Sequence, residues 1–223
     1  MKNSIAMIAV AGLAASASAQ VQEFRLFDNG TLNNGVQIED NSSPFFMNAQ
    51  GNDPTSSPSG FEEFYVMEFD LSAYTSGAVA SVEIDLTHSE PFFASTGGVS
   101  IDYTADDSTA LSGLTFDTGS VGGNNGQLAA ADVADFQFVA GNDGVTFTFN
   151  LADNGGLFSD IQSGGLIRLI LEATDPGTAA TYEGFDGDRG DGGPVLRVTA
   201  VPTPGAAAIL GLGGLVAARR RRA

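Results

Sequence analysis

Short runs of alternating apolar and polar side chains, cut by glycine-rich turns, recur along this 223-residue chain and leave little room for anything but β-structure. The sharpest is Val145-Thr146-Phe147-Thr148-Phe149-Asn150-Leu151. Side chains alternate across a strand with a period of two, so Val145, Phe147, Phe149 and Leu151 share one face and the Thr and Asn residues the other. A slip of one residue would turn the whole apolar set to water, so the register is firmly specified. Gly141-Asn142-Asp143-Gly144, just before it, supplies the residues a turn needs.

The same alternation marks Val82 to Leu86 and Val99 to Tyr103. Phe61 to Asp70 is a longer predicted strand, with Phe64, Val66 and Phe69 toward the core. Leu166 to Glu172 is almost continuously apolar and is predicted to be a central strand buried on both faces. Val21 to Asp28 opens the domain and Val195 to Ala200 closes it, with Leu196 and Val198 on one face. Asp135 to Ala140 is a further short strand. Two helical turns are expected, Ala129 to Ala134 and Leu157 to Gln162, the second entered from Asn154-Gly155-Gly156 and ended near Gly164-Gly165. Asn48 to Gly60 is expected to be a loop. Eight to ten short strands with Gly-rich turns imply an all-β fold, a β-sandwich of jelly-roll or Greek-key type, in one domain.

All 27 acidic residues lie between residues 20 and 200, against only four arginines there (Arg25, Arg168, Arg189 and Arg197). That segment carries a formal charge of −23 and no lysine. Such a surface repels nucleic acid and anionic lipid, and attracts divalent cations. Adaptation to a saline habitat and a calcium requirement are both compatible with it. With no cysteine there is neither a disulfide framework nor a thiol nucleophile, so stability rests on core burial.

Both ends read as processing signals. Lys2 and Asn3 precede an apolar stretch from Ile5 to Ala15, and Ala17-Ser18-Ala19 forms an A-x-A site. That pattern is a secretory signal peptide, with signal peptidase expected to cut after Ala19 and leave Gln20 first. At the other end, Pro202-Thr203-Pro204 leads into an uncharged apolar run, Gly205 to Ala218, followed by Arg219, Arg220, Arg221 and Arg222. Fourteen helical residues rise about 21 Å, short of the roughly 30 Å of a bilayer core. The arginines favour a cytoplasmic C-terminus. This tail resembles the PEP-CTERM sorting domain of Gram-negative bacteria, with Thr203 where the family's usual motif has Glu. The resemblance covers about a tenth of the chain. It implies export across the inner membrane, transient anchoring there through the C-terminal helix, processing by an exosortase-like transpeptidase, and a final place at the cell surface or outside the cell. The chain is thus expected to divide into a signal peptide (1–19), a β-sandwich domain (20–200) and a sorting signal (201–223).

Phe64-Tyr65-Val66-Met67-Glu68-Phe69-Asp70-Leu71-Ser72, then Ala80 to Leu86, and the closing Gly193-Pro194-Val195-Leu196-Arg197-Val198-Thr199 resemble a strand pattern of extracellular jelly-roll modules. Such modules occur in carbohydrate-binding and adhesion proteins, so extracellular polysaccharide is an implied partner.

Catalytic signals are scarce. A Ser-His-Asp triad would need His88, the chain's one histidine, at the end of a predicted strand where a solvated surface position is expected. No G-x-S-x-G elbow is present. Glu62-Glu63 and Asp106-Asp107 can be drawn into a glycosidase scheme, but neighbours within a strand face opposite ways. Zinc is unsupported by one histidine and no cysteine. Calcium takes oxygen ligands, and Asp186, Asp188 and Asp191 in a Gly-rich segment form the best candidate, although the spacing is not that of an EF-hand. The alternative is a plain acidic turn. Sugar binding normally uses exposed aromatic platforms; there is no Trp, and Tyr182 and Phe92-Phe93 are the aromatics proposed to serve. The expectation is therefore a non-enzymatic surface or matrix protein, with a carbohydrate-binding or adhesion module as the alternative. Exposed aromatics on one sheet face would favour the alternative, and an open cleft with convergent carboxylates would favour a hydrolase.

Overall fold

Strands dominate the computed structural model, which describes residues 19–33, 36–40, 46–53, 61–90, 93–114, 130–184 and 193–202. In chain order they are β1 (Val21–Arg25), β2 (Asp28–Asn33), β3 (Val36–Asp40), β4 (Phe46–Asp53), β5 (Phe61–Asp70), β6 (Val79–Thr87), β7 (Gly97–Thr104), β8 (Ala131–Phe138), β9 (Thr146–Leu151), β10 (Leu166–Ala173), β11 (Ala179–Glu183) and β12 (Val195–Ala200). One helix, α1 (Leu157–Ser163), and a 3-10 turn at Leu111–Gly113 complete the described elements. Val21–Ala200 makes up one compact unit.

The strands pair antiparallel in two sheets. The smaller runs β1-β12-β6-β9 and the larger β11-β4-β5-β10-β7-β8, with β2 joined to β5 and β3 to β2. The core lies between them. Phe24, Leu196, Val198, Val82, Ile84 and Leu86 face it from the smaller sheet, and Tyr65, Met67, Phe69, Leu169, Leu171 and Ile101 from the larger. The fold is the expected all-β sandwich.

Position within a sheet explains how each strand's pattern reads. β10 lies between β5 and β7 and is buried on both faces, as its unbroken apolar run implied. β9 is an edge strand, so Phe147 and Phe149 are only half-buried. Val145 falls before β9 and is 44% exposed rather than part of the apolar face. Val21 to Asp28 is not one strand. β1 ends at Arg25, the chain crosses at Leu26-Phe27, and β2 starts in the other sheet. Residues 131–134 are not helical but form the first half of β8, where a bulge against Ile101/Asp102 keeps Val133 buried. Residues 48–53 are strand rather than loop, because β4 pairs with β11 as well as β5.

The turn at Leu157 to Gln162 is α1. Its ends are set by Gly156 (φ 90) and Gly164 (φ 72), left-handed conformations that favour glycine. Leu157 and Ile161, four apart, drop into the core.

The expected signal and C-terminal helices lie outside the described residues, as do Ala17, Thr203, Pro204, Arg219, Arg220, Arg221 and Arg222. Ala19, Gln20 and Pro202 are described and exposed. Among the described residues no helix is long and apolar enough to cross a membrane.

Candidate functional site

The larger sheet also has an outer face, opposite the core, and three ranks of side chains cross it in register. The first is Glu68–Arg168–Thr104, the second Val66–Ile170–Asp102–Asp132, and the third Glu172–Ser100–Asp135. A strand alternates faces, so these residues share the outer side while Leu169, Leu171 and Ile101 point inward.

One half of this face is covered. Leu111 and Leu114, from the segment after β7, pack on Leu32, Phe64, Val66 and Ile170 as a second small apolar cluster. This corrects the one-sided reading of Phe61 to Asp70. Phe69 faces the main core with Tyr65 and Met67, whereas Phe64 and Val66 face this second cluster. Arg168, 1% exposed, locks the covering segment down. Its Nε donates to Glu68 Oε1 (2.8 Å), and its NH1 and NH2 groups donate to the carbonyls of Asp106 and Thr109 (2.8 Å each).

The other half is an open groove of about 430 Å³, within the usual range of ligand sites. Glu62, Glu63, Asp102, Asp132, Asp135, Glu172 and Asp175 line it, with Gln50, Asn52 and Ser100 among them and no basic side chain among the described residues. The turn after β10 closes one end. Asp175 Oδ2 accepts the Gly98 N–H (3.0 Å), and the Gly51 N–H donates to Thr178 O (3.0 Å). A Cβ on Gly51 would stand 2.1 Å from the Asp175 carbonyl oxygen, so no side chain fits there.

Crowded, partly buried carboxylates hold their protons more tightly. Glu172 is pushed up to about 7, first by burial and then by the charges of Asp102 and Glu62. Asp102 rises to about 6 through burial and through Asp132 and Asp135, although the Ser100 hydroxyl, which donates to it at 3.3 Å, pulls the other way. Burial also raises Glu62 and Asp132, the latter with help from Asp135. Near neutral pH the groove therefore holds both protonated and ionised carboxyl groups, able to donate and accept hydrogen bonds.

Sequence reasoning found few of these residues. It considered Glu62 and Glu63 and set them aside as facing apart, yet both line the groove beside the Gln50–Glu63 register shift. Glu63 accepts a hydrogen bond from Asn48, and Glu62 one from Asn52 (3.4 Å). Asp106 lies in the covering segment, its carboxylate engaged by Ser108, and contributes its carbonyl to Arg168. Asp186, Asp188 and Asp191 lie outside the described residues. Among the described residues no group of three or more His, Asp or Glu side chains is placed to hold a metal ion. Tyr65, Tyr74, Tyr103 and Tyr182 are all buried, Tyr182 completely, so none is a stacking platform. Phe92 lies outside the described residues, and Phe93 is half-buried. His88, expected at the surface, is 2% exposed, because the strand end pairs with β11 at Tyr182 and Phe138 and Phe147 pack on its ring.

No family model matches the chain, and no curated protein matches it. Among solved structures it is similar to the CBM22-1–GH10 modules of the Clostridium thermocellum endo-1,4-β-D-xylanase 10B complexed with xylohexaose, at 10% identity and a TM-score of 0.32. The match covers 81% of this chain and 28% of that one. A likeness that loose carries no argument about function. On its own geometry the chain is an all-β sandwich with an acidic groove across the open half of its larger sheet.

Proposed function

We propose that this chain is an exported, non-enzymatic cell-surface or matrix protein, and that its groove holds a polyhydroxylated chain such as an extracellular polysaccharide. The groove's lining carries this reading. Its carboxylates, amides and hydroxyl accept and donate hydrogen bonds in the density that sugar hydroxyls require, on a surface open enough for a polymer to lie along. With no tyrosine exposed among the described residues, hydrogen bonding rather than stacking supplies the affinity. The uniform negative charge selects neutral or cationic chains and rejects anionic ones.

The folded chain, tested on an array of neutral, amino-sugar and anionic glycans, is expected to bind members of the first two groups only. Asn52→Ala or Glu62→Gln then weakens binding about tenfold, the effect of one hydrogen bond to a charged group. An array with no neutral or amino-sugar hit rejects the proposal.

Export and sorting rest on the two terminal signals. Signal peptidase would act after Ala19 and an exosortase-like transpeptidase at Pro202, Thr203 and Pro204, with Arg219 to Arg222 retaining the tail in the inner membrane until cleavage. Intact-mass analysis of the native protein from envelope and medium is expected to show loss of residues 1–19 and of the tail near Pro204. An intact arginine tail in the membrane fraction means a permanent anchor instead.

A second reading draws on the convergence of carboxylates, which is what a hydrolase would need. Glu172, raised to about 7, is protonated at the pH where a general acid works. Against it, burial and mutual repulsion account for that rise without a reaction. Incubating the chain with each bound glycan separates the two. New reducing ends that disappear in Glu172→Gln would establish hydrolysis, and binding without them supports the non-enzymatic reading.

A further inference from the structure

The segment after β6 runs beside β11, bridged to it antiparallel at His88–Tyr182, and His88 is its buried centre. The ring stacks on Phe138 of β8 (4.5 Å between centroids, 26°), lies against Phe147 of β9 (4.5 Å, 38°) and meets Tyr182 of β11 edge-on (5.1 Å, 80°). Its Nδ1 has no hydrogen-bond partner. The backbone on either side joins three elements. The His88 N–H donates to Val145 O and the Gly144 N–H to His88 O, both at 2.9 Å, which ties in the β8–β9 turn. The Ser89 N–H donates to Thr181 O (3.1 Å), and the Thr181 hydroxyl donates back to Ser89 O, which ties in β11. β6 and β9 belong to the smaller sheet and β8 and β11 to the larger, so the ring bridges the two sheets at one end of the sandwich.

We propose that His88 is an acid-sensitive latch: protonating its ring loosens this end of the sandwich, releasing the β8–β9 turn and β11 from the segment after β6. Two aromatic faces and a phenol edge form an apolar box in which a neutral imidazole packs well. A second ring proton introduces a charge that the box does not pair.

The titratable groups around the ring do not relieve it. Among the described residues, Glu90 on the same segment is the carboxylate drawing the proton on, but its Oε1 already accepts the Gly141 and Asn142 N–H groups. Asp143, on the turn, accepts the Glu90 N–H (3.1 Å). From β11, the Tyr182 hydroxyl is buried and held in its neutral form, and Glu183 follows it at the strand end. β8 and β9 present phenylalanines. Burial outweighs Glu90, and the imidazole is held below its usual 6.5. The sign follows. The open state binds a proton near 6.5 and the closed state only at lower pH, so opening is promoted as pH falls through that window and not above it.

Because His88 is the chain's one histidine, its ring signal in an NMR titration of the full chain needs no assignment. The midpoint is expected below 6.5. Amide exchange at His88, Ser89 and Gly144, corrected for the intrinsic chemical rate, should show opening that rises by up to about tenfold per pH unit between 6.5 and that midpoint. Amides in the β5–β10 ladder should not open faster as pH falls over the same range, since the raised carboxyls of the groove favour the folded state there. In His88→Phe, or in His88→Gln if the larger ring does not fit, the three sites should lose this dependence. A midpoint at or above 6.5 overturns the proposal. So does a pH response that persists in both variants, or one shared equally with the β5–β10 ladder.

Discussion

Arg168→Met is expected to cost about 3–5 kcal/mol of folding stability, the usual consequence of removing one member of a buried ion pair. Glu68 would lose its guanidinium partner while its side chain stays only 6% exposed. The carbonyls of Asp106 and Thr109 would lose the guanidinium that now receives them. The cost is largely that of stranded polar groups rather than of a lost attraction. The double variant Arg168→Met/Glu68→Leu should therefore recover most of it. Urea denaturation read at constant m-value measures both. Faster amide exchange at Gly113 and Leu114 in the single variant would locate the damage in the covering segment, since those N–H groups close its 3-10 turn. A single-variant loss below about 1 kcal/mol would mean that the segment already opens enough to hydrate Glu68.

Glu172→Gln is expected to act in the opposite direction, stabilising the protein above neutral pH. Folding raises this carboxyl from about 4.5 to about 7, so the folded state holds its proton over a range in which the unfolded chain has released it. The stability that proton contributes is complete below 4.5 and is lost as pH climbs to about 7. A shift of that size corresponds to about 3 kcal/mol, so Glu172→Gln should be more stable than the parent by up to that amount at pH 8 and nearly equal to it at pH 4.5. Asp102, raised to about 6, slopes the same way. The two carboxyls feel each other, so Asp102→Asn and Glu172→Gln should be less than additive. His88 contributes a slope of the other sign below 6.5, which is why the difference between variant and parent, rather than either curve alone, is the quantity to read. Equal stability of the two at pH 8 would mean that the groove is well hydrated and the carboxyl unperturbed.

These two residues belong to a strand whose place was legible in advance. Leu166 to Glu172 is so apolar that only a doubly buried strand suits it, and β10 is one. Alternation already puts its two charged members, Arg168 and Glu172, on one face; what no local pattern contained was that they meet opposite fates. Arg168 is paired with Glu68, 100 positions away in the chain. Glu172 is set beside Asp102 and Glu62. His88 illustrates the same limit. A polar residue at a strand end before a turn is exposed unless distant elements enclose it, and here β11, almost a hundred residues later, pairs beside it while Phe138 and Phe147 pack on its ring.

Period-two alternation and turn residues act over a few residues, so the amino-acid order alone settled that the chain is an all-β sandwich; the glycine-bounded turn at Leu157 to Gln162 was legible too, whereas the second expected helical turn lies in β8 over its described residues. It also settled the acidity of the body, because composition needs no partner. Pairing order, the edge position of β9, the second cluster around Leu111 and Leu114, and the groove were decided by tertiary contacts. Alternation says that a side chain lies on one of two faces, and only the packing of distant strands says whether that face meets a core, a covering segment or water.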